Sequence, residues 1–332
     1  MTVFIGYESA YEFWRRADDG RGSALCASRV RSSHRLRVVD AKGRATRPEI
    51  GDVLFRGLFD APLHIMASSL ETRSRCSDVI CHVCPATYPK GSFVALEKDV
   101  VVVSPVLSFL QMAESFPLET LVVAGMELCG RYAVSREGAI SSRCPLTSAS
   151  RLRRFVGQAE GMRGVKKARR ALRFVMDDSA SPMETSLALL LSMPRSLGGY
   201  GLPRPVMNLR IDAVAFDKCM VGHCAESRFF RGDLCWPQAK LCVEYDSDAY
   251  HTGADRIAHD SWRRAELHLA GFSVVTITRG QLYDVSSMDR VARLLAKQLG
   301  VRARRKDALF AERQRSLREA LLGGNFRRQG HF

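Results

Sequence analysis

Two acidic residues in the C-terminal half of the chain stand where they could bind a metal ion. Asp233 lies in a β-prone segment at residues 229 to 236, and Glu244 lies in the next, at residues 241 to 245. The Pro-Gln turn between the segments predicts an antiparallel hairpin, on which the two carboxylates converge if both point to the same face. An unpaired charge is costly in a strand. The pair therefore predicts a divalent-cation site, with Mg²⁺ (or Mn²⁺) held by carboxylates, water and phosphate.

The segments after this hairpin predict the elements that would hold it in place. Residues 254 to 270 predict a helix, and Gly271 is the expected C-cap at its end. Residues 272 to 278 form a continuous apolar run, which is typical of a strand buried in a sheet that is covered on both faces. Residues 287 to 299 predict a closing helix. The expected fold class is therefore α/β.

The residues of this region resemble a known family. The pattern D-L-x-W, V-E-x-D and H, followed by D-x-x-R-x-x-x-L-x-x-x-G and V-V-x-I-T, is similar to the very-short-patch-repair-like endonucleases of the PD-(D/E)XK superfamily, and more narrowly to an actinobacterial branch of them. The resemblance covers residues 180 to 284. It implies a restriction-endonuclease-like mixed sheet flanked by helices and Mg²⁺-dependent hydrolysis of phosphodiester bonds. The N-terminal half weakly resembles antitoxin-type regulators of abortive-infection systems.

The resemblance implies roles for particular residues. Asp233 matches the motif aspartate, and Glu244 matches the acidic residue of the (D/E)XK motif. Asp246 stands where the motif has lysine, which leaves open the group that activates the water, and Asp246 is itself a candidate catalytic residue or additional ligand of the ion. His251 matches a histidine of the branch and is the expected general acid or base, because an imidazole ordinarily titrates near neutrality. Lys240 or Arg263 would supply positive charge to the scissile phosphate.

Glu184 matches the acidic residue on the superfamily's first core helix, which makes it a third expected metal ligand. A second interpretation explains the same residue without chemistry. Ser181, Pro182 and Glu184 have the spacing of a capping box, in which serine and glutamate satisfy backbone groups at the start of a helix. Capping and metal binding are compatible, and both stay open from the sequence.

The charge balance favours a polyanionic partner. The 332-residue chain has 50 Lys and Arg against 35 Asp and Glu, a formal charge of +15, which favours contact with the phosphates of DNA. Residues 148 to 176 predict a basic helical linker between an N-terminal α/β domain (1–147) and a nuclease-like domain (177–300), and residues 301 to 332 predict a basic helical tail. The candidate DNA-binding residues are Lys240, Arg263, Arg264, Lys166, Lys167, Arg169 and Arg170. An alternative is that the basic helices are merely solvated surface.

The N-terminal half contains a second motif that could bind a metal. Cys81-His82-Val83-Cys84 has the spacing of half a zinc site, but the next cysteines, Cys129 and Cys144, stand alone. Thiols in and beside a half-buried strand are the expected arrangement. The chain has neither a signal-peptide pattern nor an apolar run long enough to span a membrane, so a cytoplasmic protein with reduced thiols is expected.

The sequence leaves three functions open. The first is a metal-dependent DNA endonuclease, a hydrolase acting in defence or repair. The second is a catalytically degenerate protein that binds DNA or regulates, which the missing motif lysine would permit. The third is one component of a toxin–antitoxin or phage-defence pair, active only with a cognate protein partner. Plasmid cleavage, salt-sensitive binding without cleavage, and toxicity relieved by a partner would distinguish them.

Overall fold

The computed structural model describes residues 2–16, 39, 45–55, 57–84, 87–96, 99–212, 229–246, 267–302 and 307–323. The chain divides into two compact units, Met1–Asp177 and Asp178–Phe332. Both combine helices with strands, so the predicted α/β class is confirmed. The basic segment at 148–176 belongs to the first unit and the basic tail to the second. Among the described helices, none combines the length and apolar character needed to cross a membrane.

A five-stranded mixed sheet forms the centre of the first unit. Its strands are β1 (Val3–Ile5), β2 (Leu63–Ala67), β3 (Val79–Val83), β4 (Phe93–Ala95) and β5 (Val100–Val103), in the spatial order β3-β2-β1-β5-β4. β1 is parallel to β5 and antiparallel to β2. The four valines of β5 are buried because helices cover the sheet. Strands β6 (Tyr132–Val134) and β7 (Ile140–Ser142) form a separate ribbon.

The helices of the first unit pack on this sheet and on one another. They are α1 (Tyr7–Arg16), α2 (Arg47–Phe55), α3 (Pro105–Ser115), α4 (Leu118–Cys129), α5 (Ala149–Gln158) and α6 (Val165–Ala171). Pro105 is tolerated in the first turn of α3, where an N–H would have no partner within the helix.

The basic segment at 148–176 contains two helices, α5 and α6, with a break between them. Gly164 caps the start of α6 with a φ of +77°. A Cβ at this glycine would lie 3.0 Å from the carbonyl oxygen of Leu110 in α3. Positive φ and close backbone approach both favour glycine here. In β3 the predicted placement of the cysteines also holds, since Cys81 is half-buried in the strand and Cys84 is buried just after it.

A four-stranded mixed sheet forms the centre of the second unit. Its strands are β8 (Val206–Asp212), β9 (Phe229–Trp236), β10 (Leu241–Asp246) and β11 (Ser273–Thr278), in the spatial order β11-β10-β9-β8. β9 pairs antiparallel with β8 and with β10, whereas β10 and β11 are parallel. The predicted hairpin is therefore confirmed, and a 3₁₀ turn at Pro237–Ala239 joins its strands.

The helices of the second unit are α7 (Pro182–Ser192), α8 (Arg279–Tyr283), α9 (Val285–Gln298) and α10 (Ala308–Leu322). Of the helix predicted at residues 254 to 270, the structure describes the end. The N–H groups of Gly271 and Phe272 donate to the carbonyls of His268 and Leu267, at 2.8 and 2.9 Å. With Gly271 at a φ of +82°, this is a Schellman motif, as its C-cap assignment predicted.

The expectation for residues 272 to 278 was wrong in one respect. The run forms β11, but the strand lies at the edge of the described sheet, not between two others. Ile277 is fully buried, whereas Val274 and Val275 are half-buried. An apolar run reports hydrophobicity but not the number of neighbours a strand has, so the sequence overestimated its burial.

Candidate metal centre

The β9–β10 hairpin brings the backbone of Glu244 next to the side chain of Asp233. Antiparallel pairing runs from Leu241 opposite Trp236 to Val243 opposite Leu234, which makes Glu244 and Asp233 the next positions along. At this point the Asp233 carboxylate accepts a hydrogen bond of 2.8 Å from the backbone N–H of Tyr245. Tyr245 directly follows Glu244. Asp233 and Glu244 are therefore at corresponding positions along the two strands of the hairpin.

Glu184 enters the site from the start of α7. Ser181 is the N-cap, and its hydroxyl oxygen accepts a hydrogen bond of 3.1 Å from the Glu184 N–H. The Ser181 hydroxyl donates back to the Glu184 carboxylate at 2.9 Å, and the Ala180 N–H donates to it at 3.0 Å. The N-cap half of the capping interpretation is thus confirmed, whereas the Glu184 carboxylate accepts from the Ala180 N–H and not from the N-cap N–H of a capping box. The helix start also fixes this carboxylate in a buried position, with 8% of the residue exposed.

Asn208 links this carboxylate to the sheet, and sequence reasoning missed it. Its side-chain amide donates to the Glu184 carboxylate at 2.7 Å and to the Asp178 carbonyl at 2.9 Å. Asn208 interrupts β8 with a φ of +47°, a conformation that asparagine tolerates better than most residues. An asparagine inside a β-prone segment was the available signal, because asparagine is depleted in regular strands.

The electrostatics of the site indicate that its carboxylates lie close together. Burial raises the pKa of Glu184, and the negative charge of Asp233 raises it further. The pKa of Cys242 is also raised, chiefly by its contact with Cys235 and by burial, with smaller contributions from Glu244 and Asp233. Asp233 is therefore within electrostatic reach of Glu184 on one side and of Cys242 on the other.

This arrangement suits a hard divalent cation. A pair of carboxylates that repel each other, here one buried and one half-buried, is stabilised by a positive ion, and Mg²⁺ typically takes one or two carboxylates together with waters. Glu184 and Asp233 would be the protein ligands, with Glu244 beside them. Within the described ranges, no group of three or more His, Cys, Asp or Glu side chains is arranged to hold a metal.

The other residues predicted for the site have different outcomes. Asp246 is half-buried at the end of β10, opposite Thr278 of β11. His251, Arg263 and Arg264 lie outside the described residues. Lys240 precedes β10 and is four residues from Glu244, about 13 Å along an extended strand.

Lys240 does not lie with the carboxylates as predicted. Its ammonium group is 4.8 Å from the centre of the Phe272 ring and 3.5 Å from the Ala270 carbonyl oxygen. These contacts hold it at the opposite end of the strand from Asp246. Its role in supplying positive charge to the scissile phosphate stays a prediction, and the structure places it about 13 Å from Glu244 along the strand.

The basic residues of α6 divide into two groups. Lys166, Arg169 and Arg170 are exposed. Lys167 is half-buried, and its ammonium group donates to the carbonyl of Phe116 at 2.9 Å, at the end of α3. A lysine at a helix C-terminus stabilises the helix through its last carbonyls. Lys167 therefore has a structural contact, whereas its three neighbours can meet a ligand.

Comparisons with known proteins return one pair of relatives. Two uncharacterized proteins, from two strains of Mycobacterium tuberculosis, are each 30% identical to this chain over 137 residues. The match covers 41% of this chain and 43% of the relatives' length, so it spans less than half of each protein. No protein family matches the chain, and no solved structure matches it.

The repulsion between Glu184 and Asp233 leads to a testable prediction for stability. We expect Glu184→Gln to raise the unfolding temperature of the metal-free protein at pH 7. Glutamine keeps an acceptor for Ala180 and Asn208, and its own amide can donate to Ser181. The pKa of Glu184 is raised on folding, so its charge destabilises the native state only above its ordinary value of 4.5. The advantage of the variant should therefore shrink as pH falls toward that value.

Thermal unfolding of both proteins across this pH range, with EDTA present, measures the difference. Glu312→Gln, an exposed carboxylate on α10, is the control. A Glu184→Gln protein less stable than the wild type at pH 7 would show that the hydrogen bonds of the carboxylate outweigh its repulsion. Adding Mg²⁺ should stabilise the wild type more than the variant, since the ion binds the charged pair.

Proposed function

We propose that this protein is a metal-dependent DNA endonuclease whose second unit hydrolyses phosphodiester bonds. One observation carries the proposal. Glu184 is buried beside the like charge of Asp233, while Asp233 in turn caps the peptide that follows Glu244. Repulsion between the two carboxylates lowers the stability of the metal-free protein and would be relieved by a bound cation, and clustered perturbed carboxylates are typical of functional sites.

The roles of the residues follow from their positions. Glu184 and Asp233 would hold the cation, and Glu244 would complete its protein ligands. Bound there, Mg²⁺ supplies a water of lowered pKa and neutralises charge on the phosphate during hydrolysis. Asn208 and Ser181 keep the Glu184 carboxylate oriented by donating to it. His251 and Asp246 are the candidates to accept a proton from the attacking water.

DNA is the proposed substrate because of charge and resemblance together. The net charge of +15 attracts polyanions. The exposed residues Lys166, Arg169 and Arg170 offer phosphate contacts in the first unit. The motif residues resemble the very-short-patch-repair-like endonucleases, and the mixed sheet of the second unit, with α7 entering from the side of β8 and β9, is compatible with the fold that the resemblance implies.

One observation favours a second candidate, a DNA-binding protein that does not cleave. Asp246 stands at the position of the motif lysine, which places a further negative charge where the superfamily has a positive one. Loss of that cation would weaken stabilisation of the charged transition state. In this case the carboxylates would hold a cation that bridges the protein to a phosphate without hydrolysing it.

Nicking of a supercoiled plasmid distinguishes the two candidates. We expect the wild-type protein to convert it to open-circular and linear forms with Mg²⁺ or Mn²⁺, and to leave it intact with EDTA or Ca²⁺ alone. Metal-dependent stabilisation without cleavage by any divalent ion would select the binding protein. Cleavage that persists in excess EDTA would contradict the proposed metal site.

A further inference from the structure

Two arginines face each other across strands β8 and β9, a short distance from the carboxylates. The register places Arg210 directly opposite Arg231. Like charges at directly opposed positions of an antiparallel pair destabilise a sheet. Both side chains are exposed, where a ligand can reach them. The second unit therefore contains a pair of positive charges, Arg210 and Arg231, as well as the pair of negative charges, Glu184 and Asp233.

An exposed aromatic ring lies close to both guanidinium groups. The Arg210 Cζ atom is 4.2 Å from the centre of the Phe229 ring, and the Arg231 Cζ atom is 5.6 Å from it. Phe229 is 44% exposed although it is a large apolar residue. Cation–π contacts hold both guanidinium groups over one ring. We call these three residues the Arg-Phe-Arg platform.

The platform is connected to the candidate metal centre through one residue. The Arg231 guanidinium donates to the carbonyl of Asn208 at 3.4 Å, and the amide of Asn208 donates to the Glu184 carboxylate at 2.7 Å. Arg231 also precedes Asp233 by two positions on β9, roughly 7 Å along the strand. A phosphate held by Arg231 would therefore be about one nucleotide from the carboxylates.

We propose that the Arg-Phe-Arg platform binds the phosphate backbone of the nucleic acid beside the scissile bond. This inference rests on the proposed function, to which it adds the residues that position the substrate. Guanidinium groups are suited to phosphate because they donate two parallel hydrogen bonds. A phosphate between the two arginines would relieve their repulsion. Arg231 would also provide the positive charge that Asp246 does not.

Asp212 forms an ion pair with one arginine of this platform. Its carboxylate pairs with the Arg210 guanidinium at 2.9 Å, and their side chains are 72% and 51% exposed. An ion pair this exposed is weak and screened by salt, so a phosphate can compete for Arg210. The negative charge of Asp212 nevertheless opposes an incoming phosphate. Its removal should therefore strengthen binding.

Binding of a short fluorescent DNA duplex by the full-length protein in EDTA tests the inference without cleavage. We expect Arg210→Gln with Arg231→Gln to weaken binding on the order of tenfold per arginine at 0.1 M salt, and to reduce the slope of log K against log salt by about 2. Asp212→Asn should tighten binding a few-fold. Arg210→Lys with Arg231→Lys should keep the slope, because it keeps the charge.

Arg293→Gln, an exposed arginine on α9, is the matched control. The unfolding temperature of the double glutamine variant should equal or exceed that of the wild type, because removing both arginines ends their repulsion. Absence of DNA binding by the wild type, or a double glutamine variant that binds like the control, would overturn the platform. If the double glutamine variant is unstable, the expected tightening of DNA binding by Asp212→Asn still tests the platform.

The platform and the proposed function can fail separately. If the wild type and the double glutamine variant nick plasmid equally well, the proposed endonuclease activity stands and the role of the platform is contradicted. If the wild type never cleaves DNA but its salt-dependent DNA binding requires both arginines, the platform stands and the proposed catalytic function is contradicted.

Discussion

Replacing both Asp233 and Glu244 by their amides is expected to slow plasmid nicking at least about a hundredfold. The metal ion contributes several kcal/mol to phosphate hydrolysis, and each 1.4 kcal/mol corresponds to roughly a tenfold change in rate. Asparagine at position 233 can still accept the hydrogen bond from the Tyr245 N–H, so the hairpin should keep its geometry. The loss should therefore come from weaker metal binding, not from misfolding.

Initial rates over a range of Mg²⁺ concentrations measure this effect. The unfolding temperature of the metal-free double variant should equal or exceed that of the wild type, because clustered negative charge is removed. Glu312→Gln should leave both the rate and the unfolding temperature unchanged. If the double variant nicks plasmid at the wild-type rate, these two carboxylates are not the metal site and the assignment fails.

Gly198→Ala is expected to destabilise the protein by about 3–5 kcal/mol, the combined cost of overpacking and of a strained backbone. Gly198 has a φ of +88°, and a Cβ there would lie 2.2 Å from the carbonyl oxygen of Arg313 in α10. Neither backbone can move without separating α10 from the turn that precedes β8. The loop at Gly198 is thus a connector whose glycine lets α10 approach closely.

Gly201→Ala is the control in the same loop. Gly201 also has positive φ, at +72°, but the nearest atom to a Cβ is 3.7 Å away. Its substitution should cost only the strain of the left-handed backbone, about 1–2 kcal/mol. Calorimetry should show that Gly198→Ala lowers the unfolding temperature by about 10 °C and that Gly201→Ala lowers it less. Equal effects of the two substitutions would mean that contact with α10 does not require glycine.

The candidate metal centre and the Arg-Phe-Arg platform share one physical feature. Each places like charges next to each other, at a cost to the stability of the free protein. A cation would relieve the first and a phosphate would relieve the second. Because Asn208 contacts both Glu184 and Arg231, the two ligands would meet where a metal-activated water must reach a phosphodiester.

The sequence by itself determined the features that depend on neighbouring residues. The capping residues Ser181 and Glu184, the hairpin of β9 and β10, and the helix end at Gly271 were all predicted, since each is specified within one short segment. The acids of the candidate site were found the same way. Caps and turns satisfy backbone groups locally, so their residue types appear at fixed spacing.

Only the tertiary structure decided which segments meet. In the structure Asn208 contacts Glu184, and Arg210 lies opposite Arg231. Lys240 lies away from the carboxylates, and β11 lies at the edge of the described sheet. These outcomes depend on strand register and on packing between residues distant in sequence, where a shift of one residue turns a side chain to the other face. Residue types and spacing do not encode that register.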